Sequence, residues 1–217
     1  MCGITGIISN KSSMMMNNID EMVKSLHHRG PDFCSITKYN NLCMGHNRLS
    51  IIDTSNKGNQ PFHNESGILS YNGEIYNYKE LKEKYLKDIE FISKSDTEVL
   101  FHMLNEKGVE FTLKSIKGMF AFSYFDKRKS KLYLCRDRLG IKPLFWSKNN
   151  NTIGWASEIK GLLDAFNSEV DHLRTIFSYA SYPDAYRNQT LFRGIEIVEP
   201  GHYIEIDNNQ IIKKKQY

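Results

Sequence analysis

Met1-Cys2-Gly3-Ile4-Thr5-Gly6-Ile7-Ile8-Ser9 opens the chain with small and β-branched residues. Such a run reads as a short strand over 3–9, starting almost at the first residue and therefore lying inside the fold rather than dangling from it. Downstream the period changes. Ile19, Met22, Val23 and Leu26 fall at i, i+3, i+4 and i+7, the apolar stripe of one helical face, which predicts a helix over 17–26. His28-Arg-Gly-Pro-Asp32 then interrupts the pattern, because adjacent Gly and Pro punctuate the backbone, and a loop is expected after it.

Strands are expected at 42–47, 49–53 and 67–72, with turn chemistry in Gly58 to Gln60 and Asn64 to Gly67. A second helix is expected at 78–85. Ser95 followed by Glu98 has the spacing of a capping box, and Val99, Met103 and Leu104 supply an apolar face for a third helix. Runs at 119–125 and 131–135 around the charged segment Asp126 to Ser130 predict a β-hairpin. Further strands are expected at 144–147 and 152–156, with a helix opened by Ser157 and Glu158 and running through Leu163 and Phe166. The remaining 170–217 reads as a tail folded onto the domain, with a polar bend at Tyr182 to Gln189 and a hairpin from Gly201 to Ile212 turning at Asp207-Asn-Asn209. Hairpin-like runs of strands with helices between them favour an α+β fold of layered sheets over a doubly wound parallel sheet. No Pro, Gly or Ser linker divides 1–217, so one domain is expected.

Composition narrows the function classes. The 217 residues are 40% hydrophobic and include 12 Phe, 12 Tyr and 2 Trp, enough for a substantial core and unlike a disordered chain. With 29 basic and 25 acidic residues the net charge is only +4, and the single basic run is Lys213 to Lys215, so a nucleic-acid partner is not expected. No apolar stretch is long enough for a membrane helix, and no basic segment precedes the first apolar run as a secretory signal requires. Residence in the cytoplasm is expected. Four cysteines without a Cys-x-x-Cys pair imply reduced thiols, with Cys34, Cys43 and Cys135 read as small core residues. No His, Cys or Asp spacing reproduces a metal site, G-x-S-x-G is absent, and neither nucleotide-binding glycine motif occurs.

Cys2 is the sharpest chemical feature. Removal of Met1 would put a thiol and a free α-amine on one residue, a nucleophile beside its own base. At an α-amino pKa of about 7.7 to 8.0, roughly a quarter to two-fifths of the amine is unprotonated near pH 7.5, against about 0.1% of a lysine. Taken alone, a cysteine at position 2 is more often a small buried residue. Three other segments change its context. Arg48-Leu-Ser-Ile-Ile-Asp53 presents a planar guanidinium at a strand mouth, suited to a carboxylate, although alone it reads as a surface ion pair. Asn72-Gly-Glu-Ile-Tyr-Asn77 sets a side-chain amide beside an unshielded glycine N–H, which reads either as an oxyanion hole or as an Asn-Gly turn. Ser95-Asp96 at a helix start can offer a carboxylate to an ammonium or serve as a cap. Arg136, Asp137 and Lys142 read as braces that act by ion pairing.

Met1-Cys2-Gly-Ile, His28-Arg-Gly-Pro-Asp32, Arg48-Leu-Ser-Ile-Ile-Asp53, Asn72-Gly-Glu-Ile-Tyr-Asn77, Ser95-Asp96, Gly118-Met-Phe-Ala-Phe122 and Arg136-Asp-Arg-Leu-Gly-Ile-Lys-Pro-Leu144 stand in one order. In that order they resemble the class II glutamine amidotransferases, most closely the glutaminase domain of glutamine-hydrolysing asparagine synthetase. The resemblance implies an N-terminal nucleophile hydrolase fold, a four-layer α/β/β/α sandwich with two mainly antiparallel sheets. It also implies that Cys2 attacks the glutamine side-chain amide while Asn72 and the Gly73 N–H hold the oxyanion. Arg48 would grip the substrate carboxylate, Asp96 and Glu74 would face its ammonium, and Leu49, Ile51 and Ile52 would complete the binding site. The hexosamine branch of the family carries Thr-Arg-Trp-Ala-Thr where this chain has Arg48-Leu-Ser-Ile-Ile, so the asparagine synthetase branch leads.

In that branch a second domain with a Ser-Gly-Gly-x-Asp-Ser loop follows, and no such loop occurs in these residues. No cofactor is therefore expected in this chain, ATP and Mg being the business of that synthetase domain, whether in cis or in trans. An excised domain or a truncated reading frame is expected, and a homodimer is compatible with the resemblance. Two other readings stay open: a domain that senses glutamine without hydrolysing it, and an ammonia supplier for another acceptor such as a sugar acid.

Overall fold

Gly3–Ser9 is a strand (β1), and it runs through the middle of a sheet. It pairs antiparallel with β3 (Leu42–Arg48) on one side and β9 (Thr152–Ala156) on the other, which is why all seven of its residues are buried. The computed structural model describes residues 1–9, 12–51, 54–180, 189–207 and 212–217. Among these, β2 (Phe33–Tyr39), β8 (Phe145–Asn149) and β10 (Ile195–Ile197) complete a six-stranded antiparallel sheet in the order β10-β8-β9-β1-β3-β2. A second antiparallel sheet has the order β12-β11-β7-β6-β5-β4, built from β4 (Phe62–His63), β5 (Gly67–Ile75), β6 (Gly118–Asp126), β7 (Lys131–Arg136), β11 (His202–Ile206) and β12 (Ile212–Gln216).

The sheets face each other across a core of Ile4, Ile8, Met44, Ile68, Ala121, Leu134, Trp146 and Trp155. Strand alternation sends the intervening residues outward to two helical layers. On the first sheet Ile7 and Cys43 meet α1 (Ser12–Ser25) and α5 (Lys160–Phe166) through Ile19, Met22, Val23 and Leu162. On the second, Leu69, Tyr71, Phe120 and Phe122 meet α2 (Tyr78–Tyr85), α3 (Asp96–Lys107) and α4 (Val109–Ser115). The layer order is α/β/β/α, the architecture the resemblance implied. A side chain on Gly6 would collide with the indole of Trp155, its cross-strand partner in the same sheet, so the absence of a Cβ there lets the indole lie across β1 in the layer between the sheets.

Several local expectations change. Residues 33–39 form β2 where a loop was expected, because β3 offers a free edge that Phe33 to Tyr39 pairs along its whole length. Residues 49–51 are not a strand: the chain leaves the sheet after Arg48, and Ile52 and Asp53 lie outside the described residues. The third helix starts as expected, with Ser95 Oγ accepting the Glu98 N–H at 3.3 Å, but Glu98 turns away from the box and accepts the Ile92 and Ser93 N–H groups at 2.8 and 2.7 Å. Ser157 opens no helix; its Oγ accepts the Ile4 N–H at 3.0 Å, and α5 begins at Lys160. The helices α4 and α6 (His172–Ala180) were not anticipated. Beyond α6, β10 extends the first sheet beside β8, while β11 and β12 extend the second beyond β7. The expected bend falls largely on 181–188, and most of the tail hairpin's turn falls on 208–211, all outside the described residues. Cys43 and Cys135 are core residues, whereas Cys34 is exposed because β2 is an edge strand.

Candidate active site

β1 delivers Cys2 to one end of the seam between the sheets, half-buried. Its backbone carbonyl accepts a bond from Arg29 Nε at 3.0 Å, and Arg29 Nη1 in turn meets Glu158 Oε1 at 2.7 Å. His28 Nε2 is 3.0 Å from the same oxygen. Against the upward push of partial burial, these bonds hold the Glu158 carboxyl below the usual range. The His-Arg-Gly-Pro-Asp motif therefore anchors the backbone of the thiol residue, a role its composition alone did not disclose.

The sulfur sits in the bend after β3. Leu49 N–H points at Sγ from 3.4 Å, and Sγ faces Leu49 O at 3.7 Å. Burial pushes the Cys2 thiol up from its ordinary value, against the pull of the Leu49 bond, the amino terminus, and the Arg48 and Arg29 guanidiniums. Arg48 is buried at the end of β3, with Nη1 donating to Ser55 O at 2.8 Å and to Asn59 Oδ1 at 2.7 Å. Those two acceptors fix the guanidinium in the pocket wall.

The opposite wall is the outer edge of β5. Its neighbour β4 pairs only with Leu69 and Ile68, so the outward-facing backbone groups at Tyr71, Gly73 and Ile75 lack a strand partner. Side chains satisfy two of the three positions. Tyr71 N–H donates to Gln60 Oε1 at 2.7 Å and Tyr71 O accepts from His46 Nε2 at 3.0 Å, while Ile75 N–H donates to Asp96 Oδ2 at 3.0 Å. Between them, alternation turns the Gly73 N–H to the same open edge, where Gly73 lines the pocket. Phe120, opposite Gly73, sends both its backbone groups the other way, to Asp137. Among the described residues Asn72 Nδ2 is buried without a hydrogen-bond partner beside this edge, a donor that an acceptor in the pocket could satisfy.

Asp96 closes the site from the start of α3. Its Oδ2 also accepts from the Tyr71 hydroxyl at 2.7 Å, and burial raises its carboxyl above the ordinary value against the bonds that lower it. Cys2, Arg48, Leu49, Ile51, Asn72, Gly73, Glu74 and Asp96 all border one cavity of about 100 Å³. Ile51 and Glu74 stand exposed at its mouth, and Ile52 lies outside the described residues. Several further lining residues were not anticipated, among them Gln60, Met119 and Lys142. Gln60 ties Tyr71 to Thr97 Oγ1 at 3.3 Å, Met119 sits under Gly73, and buried Lys142 points Nζ at Met1 Sδ, 3.3 Å away. Only the Arg-Asp-x-x-Gly-x-Lys motif could have signalled the last.

The expected braces work differently. Arg136 donates to the carbonyls of Lys142, Val198 and Gly140, and Asp137 accepts from the N–H groups of Phe120, Leu139, Ile141 and Lys142. They hold the 137–142 loop through backbone, not through ion pairs, because a buried loop must satisfy its own peptide groups.

A half-buried thiol sharing a pocket with an unpartnered amide N–H, an open-edge N–H, a guanidinium and a carboxylate, set on two stacked antiparallel sheets, agrees with what comparisons with known proteins find. The family model for the glutamine amidotransferase domain matches residues 1–217. Glutamine-hydrolysing asparagine synthetase 2 of Bacillus subtilis is 37% identical over 220 residues, 95% of this chain and 29% of that protein. Amidase chry2 of Gibberella zeae is 33% identical over 233 residues, all of this chain and 34% of that one. Among solved structures, the glutamine phosphoribosylpyrophosphate amidotransferase of B. subtilis, complexed with ADP and GMP, superposes with a TM-score of 0.73 at 20% identity, over 99% of this chain and 49% of that one. The chain belongs to the class II glutamine amidotransferases and spans about a third of the length of the curated relatives it matches.

Proposed function

We propose that this domain hydrolyses L-glutamine to glutamate and ammonia at Cys2, and that the ammonia serves an ATP-dependent amidation of the asparagine synthetase type in a synthetase domain, in cis or in trans. The observation that carries the reading is the convergence of Cys2, Arg48, Asn72, Gly73 and Asp96 on one small cavity from two different sheets and a helix N-terminus. Once Met1 is removed, the α-amine of Cys2 takes the thiol proton as sulfur attacks the amide carbon. Asn72 Nδ2 and the Gly73 N–H receive the charge on oxygen. Collapse breaks the C–N bond, and the α-ammonium gives its proton to the departing nitrogen, leaving a γ-glutamyl thioester and ammonia. Water then adds to the thioester with the amine again accepting the proton, and glutamate leaves. Arg48 and Asp96 select a substrate carrying both an α-carboxylate and an α-ammonium, since either buried charge left unpaired is costly.

The test is direct. The intact mass of the purified chain should lack methionine, glutamine should be converted to glutamate, and Cys2→Ala should abolish the conversion; equal rates in the two proteins would remove the nucleophile. The name of the Gibberella relative, an amidase, keeps a different acceptor for the ammonia as the second reading. Coupling the domain to candidate acceptors with ATP and a synthetase domain separates the two.

A further inference from the structure

Cys2 belongs to the first sheet and the Asn72–Gly73 peptide to the second, so the gap between nucleophile and oxyanion donors is an intersheet distance. Most of the material that sets this distance is hydrocarbon, including Ile4, Met44, Ala121, Leu134 and Trp155, and hydrophobic contact is non-directional. It holds two sheets together without choosing where one slides along the other.

Hydrogen bonds do choose: far along the sheets Lys214 of β12 reaches Glu196 of β10 at 2.6 Å, and two others lie beside the site. Consecutive residues of β3 reach consecutive residues of β5: Gly45 O accepts from Ser70 Oγ at 3.0 Å, and His46 Nε2 meets Tyr71 O at 3.0 Å. A carbonyl only accepts, so Nε2 carries the hydrogen. His46 is fully buried; among the described residues Nδ1 has no hydrogen-bond partner, and the Tyr71 bond is the hydrogen bond that accounts for an imidazole in this seam. Its position in the ladders is telling. Across β1 it is paired with Ile4, two residues from Cys2; along β3 it precedes Arg48 by two and so lies on the same face; across the seam it grips the carbonyl of the peptide that ends at Asn72.

We propose that His46, with Ser70 beside it, is a positioning residue for glutamine hydrolysis: the pair forms a bracket between the sheets that sets Asn72 Nδ2 and the Gly73 N–H at the height of the Cys2 sulfur. The inference rests on the glutaminase reading of the site. Arg48 keeps its bonds to Ser55 and Asn59, and Asp96 keeps the Tyr71 hydroxyl and the Ile75 N–H, none of which the substitutions remove, so loosening the bracket should weaken the transition state more than ground-state binding.

Steady-state kinetics on the processed chain provide the test, with His46→Leu, His46→Gln and Ser70→Ala. Two ligands accompany glutamine: glutamate, which needs no oxyanion hole, and glutamate γ-semialdehyde. On the aldehyde, the Cys2 sulfur bonds to the carbonyl carbon, the C=O π pair moves to oxygen, and the thiol proton ends on that oxygen, giving a hemithioacetal. His46→Leu is expected to lower kcat about 10- to 100-fold, the scale of a displaced catalytic group, and to weaken the aldehyde by a similar factor. KM for glutamine and affinity for glutamate should stay within about 2-fold. His46→Gln, which keeps an N–H donor, should recover part of the loss. If His46→Leu does not fold, Ser70→Ala should give the same split to a smaller degree. An unchanged kcat in a folded variant, or parallel losses for aldehyde and glutamate, would overturn the bracket. A wild-type chain that hydrolyses no glutamine would instead overturn the reading on which it rests.

Discussion

Asp96 has one carboxylate oxygen committed to the Tyr71 hydroxyl and the Ile75 N–H, inside a wall where burial already works against its charge. Such a group retains its charge only for a specific partner. Asp96→Asn keeps an acceptor for both bonds but loses the charge, and it is expected to raise KM for glutamine about 10- to 100-fold with a smaller change in kcat. Hydrolysis of N-acetylglutamine, which has no ammonium, should be equal in variant and wild type. His46 yields a second prediction, on stability. Its imidazole is held down to about 4 by burial, against the Tyr71 bond and with the help of the Arg48 charge. Between pH 6.5 and 4 the unfolded chain takes up a proton that the folded one refuses, so His46 costs up to about 3 kcal/mol of stability as pH falls through that window. The raised Asp96 works in the opposite sense, the folded state accepting its proton first. Denaturant midpoints against pH should therefore fall less steeply below pH 6.5 in His46→Gln than in wild type. Cys2, Arg48, Asn72 and Asp96 were legible in the sequence because each sits in a short motif with its own chemistry. His46, Gln60 and Arg29 were not, since each acts on a backbone group supplied by a distant segment.

β5 is the element on which the site depends. It ends up without a strand on one side because β4 covers only its first residues, and the exposed edge becomes a row of donors that side chains and substrate must satisfy. Gly73 can occupy that row because a Cβ there would press on the Met119 carbonyl and Phe120. Gly73→Ala is expected to force β5 away from β6, destabilising the domain by about 1 to 3 kcal/mol and removing most glutaminase activity; chemical denaturation and glutamate release measure the two effects. At the start of α3, Ser95→Ala removes the acceptor for the Glu98 N–H and should cost about 1 kcal/mol, measurable by the same denaturation. The start of α3 at Ser95 and the hairpin of 119–125 with 131–135 were readable because their signals are local. The strand over 33–39 was not, because its pairing with β3 comes from register along a neighbour, and a half-exposed edge strand carries weak alternation.

At the scale of the whole molecule, the proposed mechanism couples sheet spacing to chemistry, because the groups it uses are divided between the two sheets. Gly6 and Trp155 are cross-strand partners within the first sheet, with the indole lying over Gly6 in the layer between the sheets, so Gly6→Ala should push the indole into that seam. A loss of about 1 to 3 kcal/mol is expected from overpacking, together with a fall in kcat that a comparable overpacking change in the helical layer, such as Gly154→Ala against Phe166, does not produce at equal loss of stability. Measuring kcat against denaturant midpoint for both variants checks this.

The order of the chemical motifs, the periodicity of the longer helices and the choice of antiparallel layers were determined by the sequence alone, because each depends on residues close together in the chain. Which residues face which, the open edge of β5, and the crossing bonds from Gly45 and His46 to Ser70 and Tyr71 were decided only by the tertiary structure. The reason is physical: a strand's pattern records that one face is buried, but nothing in it records which partner will lie opposite or where that partner stops.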